Sequence, residues 1–395
     1  MRIFWTIHPW IARRSGSGGR EAEGVWKKAL SAPRIPLPER RASAQARWIR
    51  GKSNSAFKAA RGLLIVWSLL ATSGEAQPRY VLHAGLIKTQ GYVVGAPLAS
   101  SGFHRFEGGE TWTHVGWNIP RVSGLAYDPA NPDVIFLACG NGGLRTRDGG
   151  QSWRITTDWR VTEAQDVAID PNEPAHVYLA TAYGVWATTD QGDTWREVTS
   201  GIKKKYTQTV AVDRTQAGRV FAGMEGGLFL SEDRGRSWLQ VASFEDVLDI
   251  QQSITDPQRW LAGTQNDGVL LSTDGGRSWQ PARRRAIREA TIYAVAIDPT
   301  DARRLAAVGW NTGVLLSTDS GRSWKRRGRK LPSPHFYEVV FDPTVSGRIW
   351  AATVEAGIFY SDDLGKNWTA TGMDGTLVFD MIFIPDGPRS STGPQ

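Results

Sequence analysis

One turn motif returns seven times between residues 105 and 368, and no other feature of the chain constrains the fold so tightly. The clearest copies run from Ser272 to Trp279 and from Ser317 to Trp324, both reading Ser-Thr-Asp-x-Gly-Arg-Ser-Trp. Thr146 to Trp153, Thr188 to Trp195, Ser231 to Trp238 and Ser361 to Trp368 follow the same pattern, the last with Asn367 in the late hydroxyl position. The first copy, Arg105 to Trp112, has lost the leading hydroxyl and carries Glu107 in place of Asp. Successive motif tryptophans are 41, 42, 43, 41, 45 and 44 residues apart. A period in the forties with one turn signature per unit marks a propeller or a solenoid.

The stretch from Thr291 to Trp324 shows what lies between the turns. An alternating apolar run, Tyr293 to Ile297, meets Asp298-Pro299; a second run, Leu305 to Val308, ends at Gly309; a third, Gly313 to Leu316, enters the motif, and Trp324 opens a more polar fourth. Four short strands per unit, separated by turn residues, predict a propeller blade. Ahead of the first motif there is room for a second and third strand, Tyr80 to Gly85 and Val93 to Arg105, with no first strand. After the last motif one strand is left over, Leu377 to Ile384. Pairing the leftover strand into the N-terminal blade gives an all-β, seven-bladed propeller of four-stranded antiparallel blades over residues 78–385, followed by a polar tail, 386–395.

The motif itself has local work to do. Its carboxylate can accept backbone amides of its own turn, its glycine supplies positive φ, and its tryptophan buries a large apolar surface. Asp148, Asp190, Asp233, Asp274, Asp319 and Asp363, with Trp153, Trp195, Trp238, Trp279, Trp324 and Trp368, are therefore read as structural. The turn lacks the alternating carboxylates and closing Glu of a calcium loop, and no histidine or cysteine spacing fits zinc, so no metal and no cofactor is expected. Phosphate loops and nucleophile elbows are absent from the sequence. The single cysteine, Cys139, falls at the end of a predicted strand and has no partner for a disulfide.

The chain's net charge of +8 has a local origin. Residues 1–76 hold 14 Lys and Arg against 4 Asp and Glu, leaving 33 basic and 35 acidic residues for the rest, so the basic pI is no argument that the folded domain binds nucleic acid. Residues 1–61 form a basic leader without steady periodicity, read as disordered or as the product of a start codon set too far upstream. Lys58 and Arg61 precede an apolar run from Gly62 to Ala71, and small residues Gly74 and Ala76 follow. Residues 62–76 thus have the parts of a secretory signal cleaved after Ala76, in a run too short to span a bilayer. Export to a periplasmic or extracellular compartment is expected, with N-terminal anchoring if the segment is not cleaved and no span in the mature domain.

The box Ser/Thr-x-Asp-x-Gly-x-Ser/Thr-Trp, in this setting, resembles the Asp-box or BNR-repeat propellers. That superfamily includes sialidases, two-propeller xyloglucan-degrading glycosidases, sortilin-type receptors and the single-propeller photosystem II assembly factors with their bacterial relatives. The single-propeller layout is most like the last group. The resemblance implies the fold over residues 78–385; it does not imply one function, because the shared motif is the staple. The sialidase entry motif has an echo in Pro33-Arg34-Ile35-Pro36, which lies ahead of the signal-like run and is read as coincidence. A single propeller lacks the inter-propeller cleft of the xyloglucan-degrading relatives, and the chain lacks the larger propeller and Cys-rich module of the sortilins.

Strand order decides which face can bind. Asp-boxes join third to fourth strands and Asp-Pro turns join first to second, so both fall on one face. The opposite face should carry Trp117, Trp159, Tyr183, Tyr206, Trp310, Phe336 and Tyr337, with basic residues Lys203, Lys204, Lys205, Arg283, Arg284, Arg285 and Arg288. Aligning first strands by their Asp-Pro turns gives a second cluster. Four residues before the turn stand Gly124, Asp166, Thr209, Asp249, Ala294, Glu338 and Asp380, four of them acidic, where the chain enters the central channel. Clustered carboxylates raise one another's pKa and can bind cations or move protons. The reading that follows is an exported, monomeric, non-catalytic binding or assembly module for a protein partner. The alternative is a glycoside hydrolase acting on extracellular glycans through Asp166, Asp249, Glu338 or Asp380.

Overall fold

In a computed structural model of the protein, residues 79–89, 101–199, 202–203, 205–283 and 285–386 are described. They form seven four-stranded antiparallel sheets in sequence, each an up-and-down blade. The basic leader, the signal-like segment and residues 387–395 lie outside the described residues. Blade 1 is the exception to sequential assembly: its innermost strand is the C-terminal Thr376–Asp386, hydrogen-bonded along its length to Arg79–Lys88. This closes the ring, and it extends the expected leftover strand by one residue at its start and two at its end. The third strand of blade 1 runs from Gly102 to Gly108, and residues 93–100 of the expected strand lie outside the described residues. A single helical turn, Arg285–Arg288, interrupts the link between blades 5 and 6.

Why the boxes recur is visible in their hydrogen bonds. In blade 6 the Ser317 hydroxyl donates to Asp319 Oδ1 at 2.9 Å and accepts from the Gly321 amide at 2.9 Å. Asp319 Oδ1 then takes the Ser323 amide at 2.8 Å, and Oδ2 takes the Ser323 hydroxyl at 2.6 Å. Two consecutive residues have positive φ, Ser320 at 62° and Gly321 at 81°, and the same pair recurs at Arg234-Gly235 and Leu364-Gly365. Only the second position is fixed as glycine, and its close packing gives the reason. A Cβ on Gly276 would stand 2.3 Å from the Phe221 ring, and one on Gly321 would stand 2.5 Å from Leu271, each in the preceding blade. Box tryptophans likewise pack between blades: Trp279 joins Phe221, Leu228 and Leu230 of blade 4 to Trp260 and Leu270 of blade 5.

The core is therefore a string of blade-to-blade interfaces, with second strands such as Val177–Thr181 and Val220–Met224 buried along their whole length. Cys139 is buried and unpaired, and burial pushes its thiol up to about 12, far from reactive thiolate chemistry. Among the described residues, no helix is long and apolar enough to cross a membrane.

Candidate functional site

The innermost strands are Val122–Asp128, Ala164–Ile169, Thr207–Val212, Val247–Gln252, Ile292–Ile297 and Phe336–Phe341 for blades 2 to 7, with Thr376–Asp386 for blade 1. Each has one neighbour in its sheet, so one row of its backbone groups faces the channel without a strand partner. Every one of them also breaks register at the same place, and Val122–Asp128 does so a second time at its end. The residue passed over by the pairing is Ser123, Gln165, Gln208, Leu248, Tyr293, Tyr337 or Phe379. The residue after it belongs to the acidic column of the sequence. A bulge re-aims side chains, and seven bulges in a ring line the channel with two adjacent tiers.

The lower tier is a hydrogen-bonded ring of carboxylates. Asp166 Oδ1 accepts its neighbour's amide, Val167, at 2.7 Å, while Oδ2 reaches blade 4 to accept the Val210 amide at 3.0 Å and the Thr209 hydroxyl at 2.9 Å. Asp249 takes the amides of Ile250 and, in blade 6, of Val295 at 2.7 Å. Asp380 takes those of Met381 and, in blade 2, of Leu125 at 2.6 Å. Glu338 takes only Val339, at 2.8 Å. Three aspartates thus satisfy two inner-edge amides each, and Glu338 satisfies the seventh.

This explains the pattern in the column. A carboxylate has two oxygens, so an acid is needed in every second blade, with Gly124, Thr209 and Ala294 between. Seven is odd, and the alternation cannot close, which places the acids of blades 7 and 1 side by side. Burial pushes Asp166 up to about 6 and Asp249 up to about 7, against the pull of the amides they accept. Burial first, and then the neighbouring carboxylates Asp380 and Asp249, hold Glu338 well above the usual range; Asp380 is raised in the same way, by burial and then by Asp166.

The upper tier is one residue nearer the loop face. Tyr293 stacks on Tyr337 at 4.9 Å between ring centroids, and Tyr337 meets Phe379 edge-on at 5.3 Å, giving an aromatic arc across blades 6, 7 and 1. The arc ends at Arg121, whose guanidinium lies 5.3 Å from the Phe379 ring and donates to Gln165 Oε1 at 2.6 Å.

The loop-face residues are dispersed around this mouth. Trp159 is 86% exposed, Tyr183 58%, Trp310 52% and Trp117 47%, all in fourth-to-first or second-to-third loops. Trp310 stacks on His335 at 3.9 Å. Tyr206 is half-buried, with burial raising its hydroxyl's pKa. Lys203, Arg283 and Arg288 are exposed, and Lys205 pairs with Glu197. Arg285 opens the helical turn, and Lys204 and Arg284 lie outside the described residues. Phe336 is a correction: it is fully buried between blades 6 and 7, because the loop into blade 7 ends one residue before it and the strand's inward alternation has begun. The sequence reading named Tyr337 but missed Tyr293, Phe379 and Arg121. For Tyr293 and Phe379 the signal was the bulge position, which shows only when all seven first strands are aligned; Arg121 stands just ahead of its strand and had no such signal.

Fold and repeat together define the class: the chain is a seven-bladed Asp-box, or BNR-repeat, propeller. Residues 239–382 match the family model described as photosynthesis system II assembly factor YCF48. Among solved structures it is similar to YCF48 from Cyanidioschyzon merolae, at 15% identity and TM-score 0.51, over 67% of this chain and 93% of that one. It is similar also to two GH74 enzymes. The Niastella koreensis enzyme gives 16% identity, TM-score 0.58 and coverage of 75% of this chain and 55% of that one. An ancestral GH74 enzyme gives 19%, 0.54, 69% and 39%. The chain thus spans about half or less of those enzymes' lengths. No curated protein matches it.

Proposed function

We propose that this propeller is an exported, monomeric, non-catalytic binding or assembly module that takes a protein partner on the face opposite its Asp-boxes. The observation that carries the reading is the occupation of three of the four channel carboxylates, Glu338 alone capping a single amide. Asp166, Asp249 and Asp380 each bridge two blades by accepting backbone amides, so their oxygens are committed to holding the ring together. A proton-transfer group needs an oxygen directed at substrate. The face around that ring instead offers exposed aromatic anchors, Trp117, Trp159, Tyr183 and Trp310, of the kind that dominate protein interfaces. The match to an assembly-factor family model agrees with this choice.

One observation favours the glycoside hydrolase as a second reading: Asp249, with its pKa pushed up to about 7, is poised as a general acid would be. The two separate experimentally. Trp159→Ser with Trp310→Ser should weaken capture of a protein partner while the melt and any glycoside turnover stay unchanged. Turnover of xyloglucan fragments that is abolished by Asp249→Asn in a folded protein would instead establish catalysis. Export is tested by N-terminal sequencing of the product, which should begin near Gln77.

A further inference from the structure

The junction between blades 7 and 1 differs from every other junction in the ring. At Gly150, Gly192, Gly235, Gly276, Gly321 and Gly365 an added Cβ would come within 2.3 to 3.0 Å of the preceding blade. At Gly109, the equivalent residue of the first box, nothing lies within 4 Å. The degenerate box, with Arg105 and Glu107 replacing its hydroxyl and aspartate, still reaches blade 7 through Phe106 and Trp112 but does not press against it at its glycine. The space left behind is a cleft of about 330 Å³ between the two blades, on the Asp-box side. That volume is within the range of small-ligand sites.

The lining of the cleft is chemically specific. Phe106 and Trp350 meet edge-on at 5.1 Å, and Trp350 and Tyr360 lie 5.0 Å apart, so three rings from two blades form one aromatic wall. Trp350 is 4% exposed, and its indole Nε1 has no hydrogen-bond partner among the described residues. That nitrogen is sealed from solvent, as are the unpartnered indole nitrogens of Trp186, Trp195 and Trp260, so Trp350 gives the cleft an apolar ring and no donor. Charge gives the second criterion. Arg348 lies over Tyr360 at 5.2 Å, but Asp362 at 2.5 Å and Asp342 at 3.6 Å already answer its charge. Glu110, exposed at the mouth, has no cation within pairing distance among the described residues. With Arg348 balanced by two carboxylates behind the lining, Glu110 is the charge left over, and a carboxylate beside aromatic rings selects a cation.

We infer that this cleft binds a basic side chain of a peptide or protein segment. The ammonium or guanidinium lies against the aromatic wall beside Phe106 and pairs with Glu110. The site is on the opposite face from the channel mouth, and it stands whether or not the loop face binds a partner.

The test uses the full chain and a defined probe, the blocked pentapeptide Gly-Gly-Arg-Gly-Gly, beside the same peptide with neutral citrulline for arginine. Titration calorimetry should show saturable binding of the arginine peptide, with the citrulline peptide about tenfold weaker or more. Raising salt from about 50 to about 500 mM should weaken the arginine peptide and leave the other unchanged. Glu110→Gln, at an exposed position, should cost at least about fivefold in affinity without altering the melt. Tyr360→Leu should weaken binding independently of salt. Absence of saturable binding by the folded wild type would overturn the inference. So would equal affinity for the two peptides, or binding indifferent to both substitutions.

Discussion

Removing Asp249 should cost more in acid than in base, which is the reverse of what an ordinary carboxylate would do. The side chain accepts the amides of Ile250 and Val295, and truncation to Ala leaves both donors facing the channel. Each unsatisfied group costs about 1 to 3 kcal/mol, so the loss of caps alone is worth roughly 2 to 6 kcal/mol. The opposing effect is the relief of a buried charge. Asp249 is pushed up to about 7 in the folded protein, whereas in the unfolded chain it titrates near the ordinary value of about 3.9. A group whose folded pKa is raised binds more protons folded than unfolded between those values, so its contribution is present at low pH and is lost as pH rises through the folded pKa. Between about pH 5 and about pH 8 the loss amounts to roughly two units of 1.36 kcal/mol, or about 2 to 3 kcal/mol. Urea denaturation of wild type and Asp249→Ala at the two pH values measures it, the difference between the proteins reporting this carboxyl together with the relief its removal gives Glu338 and Asp380, which has the same sign. The penalty for Ala should be larger at about pH 5, by about 2 to 3 kcal/mol. A penalty larger at about pH 8, or the same at both, would refute the argument from burial.

The Asp-boxes predict a different limb of the pH profile. The Ser237 hydroxyl and amide hold Asp233 down at about 2, and those of Ser323 do the same for Asp319. Lowered pKa values mean that this stability is present above about pH 4 and is lost as pH falls towards 2, so the acid limb of a melting curve should steepen only there. Asp319→Ala should cost about 1 to 3 kcal/mol by thermal or chemical melt. Glu107→Ala, in the degenerate first box, should cost less. Trp279→Ala removes a ring buried between blades 4 and 5 and should cost about 3 to 5 kcal/mol, measurable as a lowered denaturation midpoint.

What could be read in the sequence was whatever repeats within one blade. The box residues, the Asp-Pro turns and the tryptophan spacing fix strand order and count. The missing first strand before Arg79 and the leftover strand after Trp368 fix the closure. What could not be read lies between blades, where partners are about one period apart in sequence. Asp166 and Val210 are 44 residues apart, and nothing local to either says that they bond. The acidic column was visible as a pattern, but its alternation acquires a cause only once each carboxylate is seen spanning two inner edges. Phe336 and Tyr337 were indistinguishable neighbours in the sequence; the bulge between Phe336 and Glu338 puts one in the core and the other in the channel. Nor could the cleft at Gly109 be foreseen, since Gly109 satisfies the box pattern as well as Gly276 does.

The central claim, that the face opposite the Asp-boxes is a partner-binding surface, is tested most directly by placing a photo-crosslinking amino acid at Trp159 and, in a separate protein, at Lys366 on the Asp-box face. Irradiation of cells making each full-length protein should yield a discrete protein adduct from position 159 and none of the same mass from position 366. An adduct of the same mass from both positions, or none from 159 beside glycoside turnover that depends on Asp249, would contradict the account.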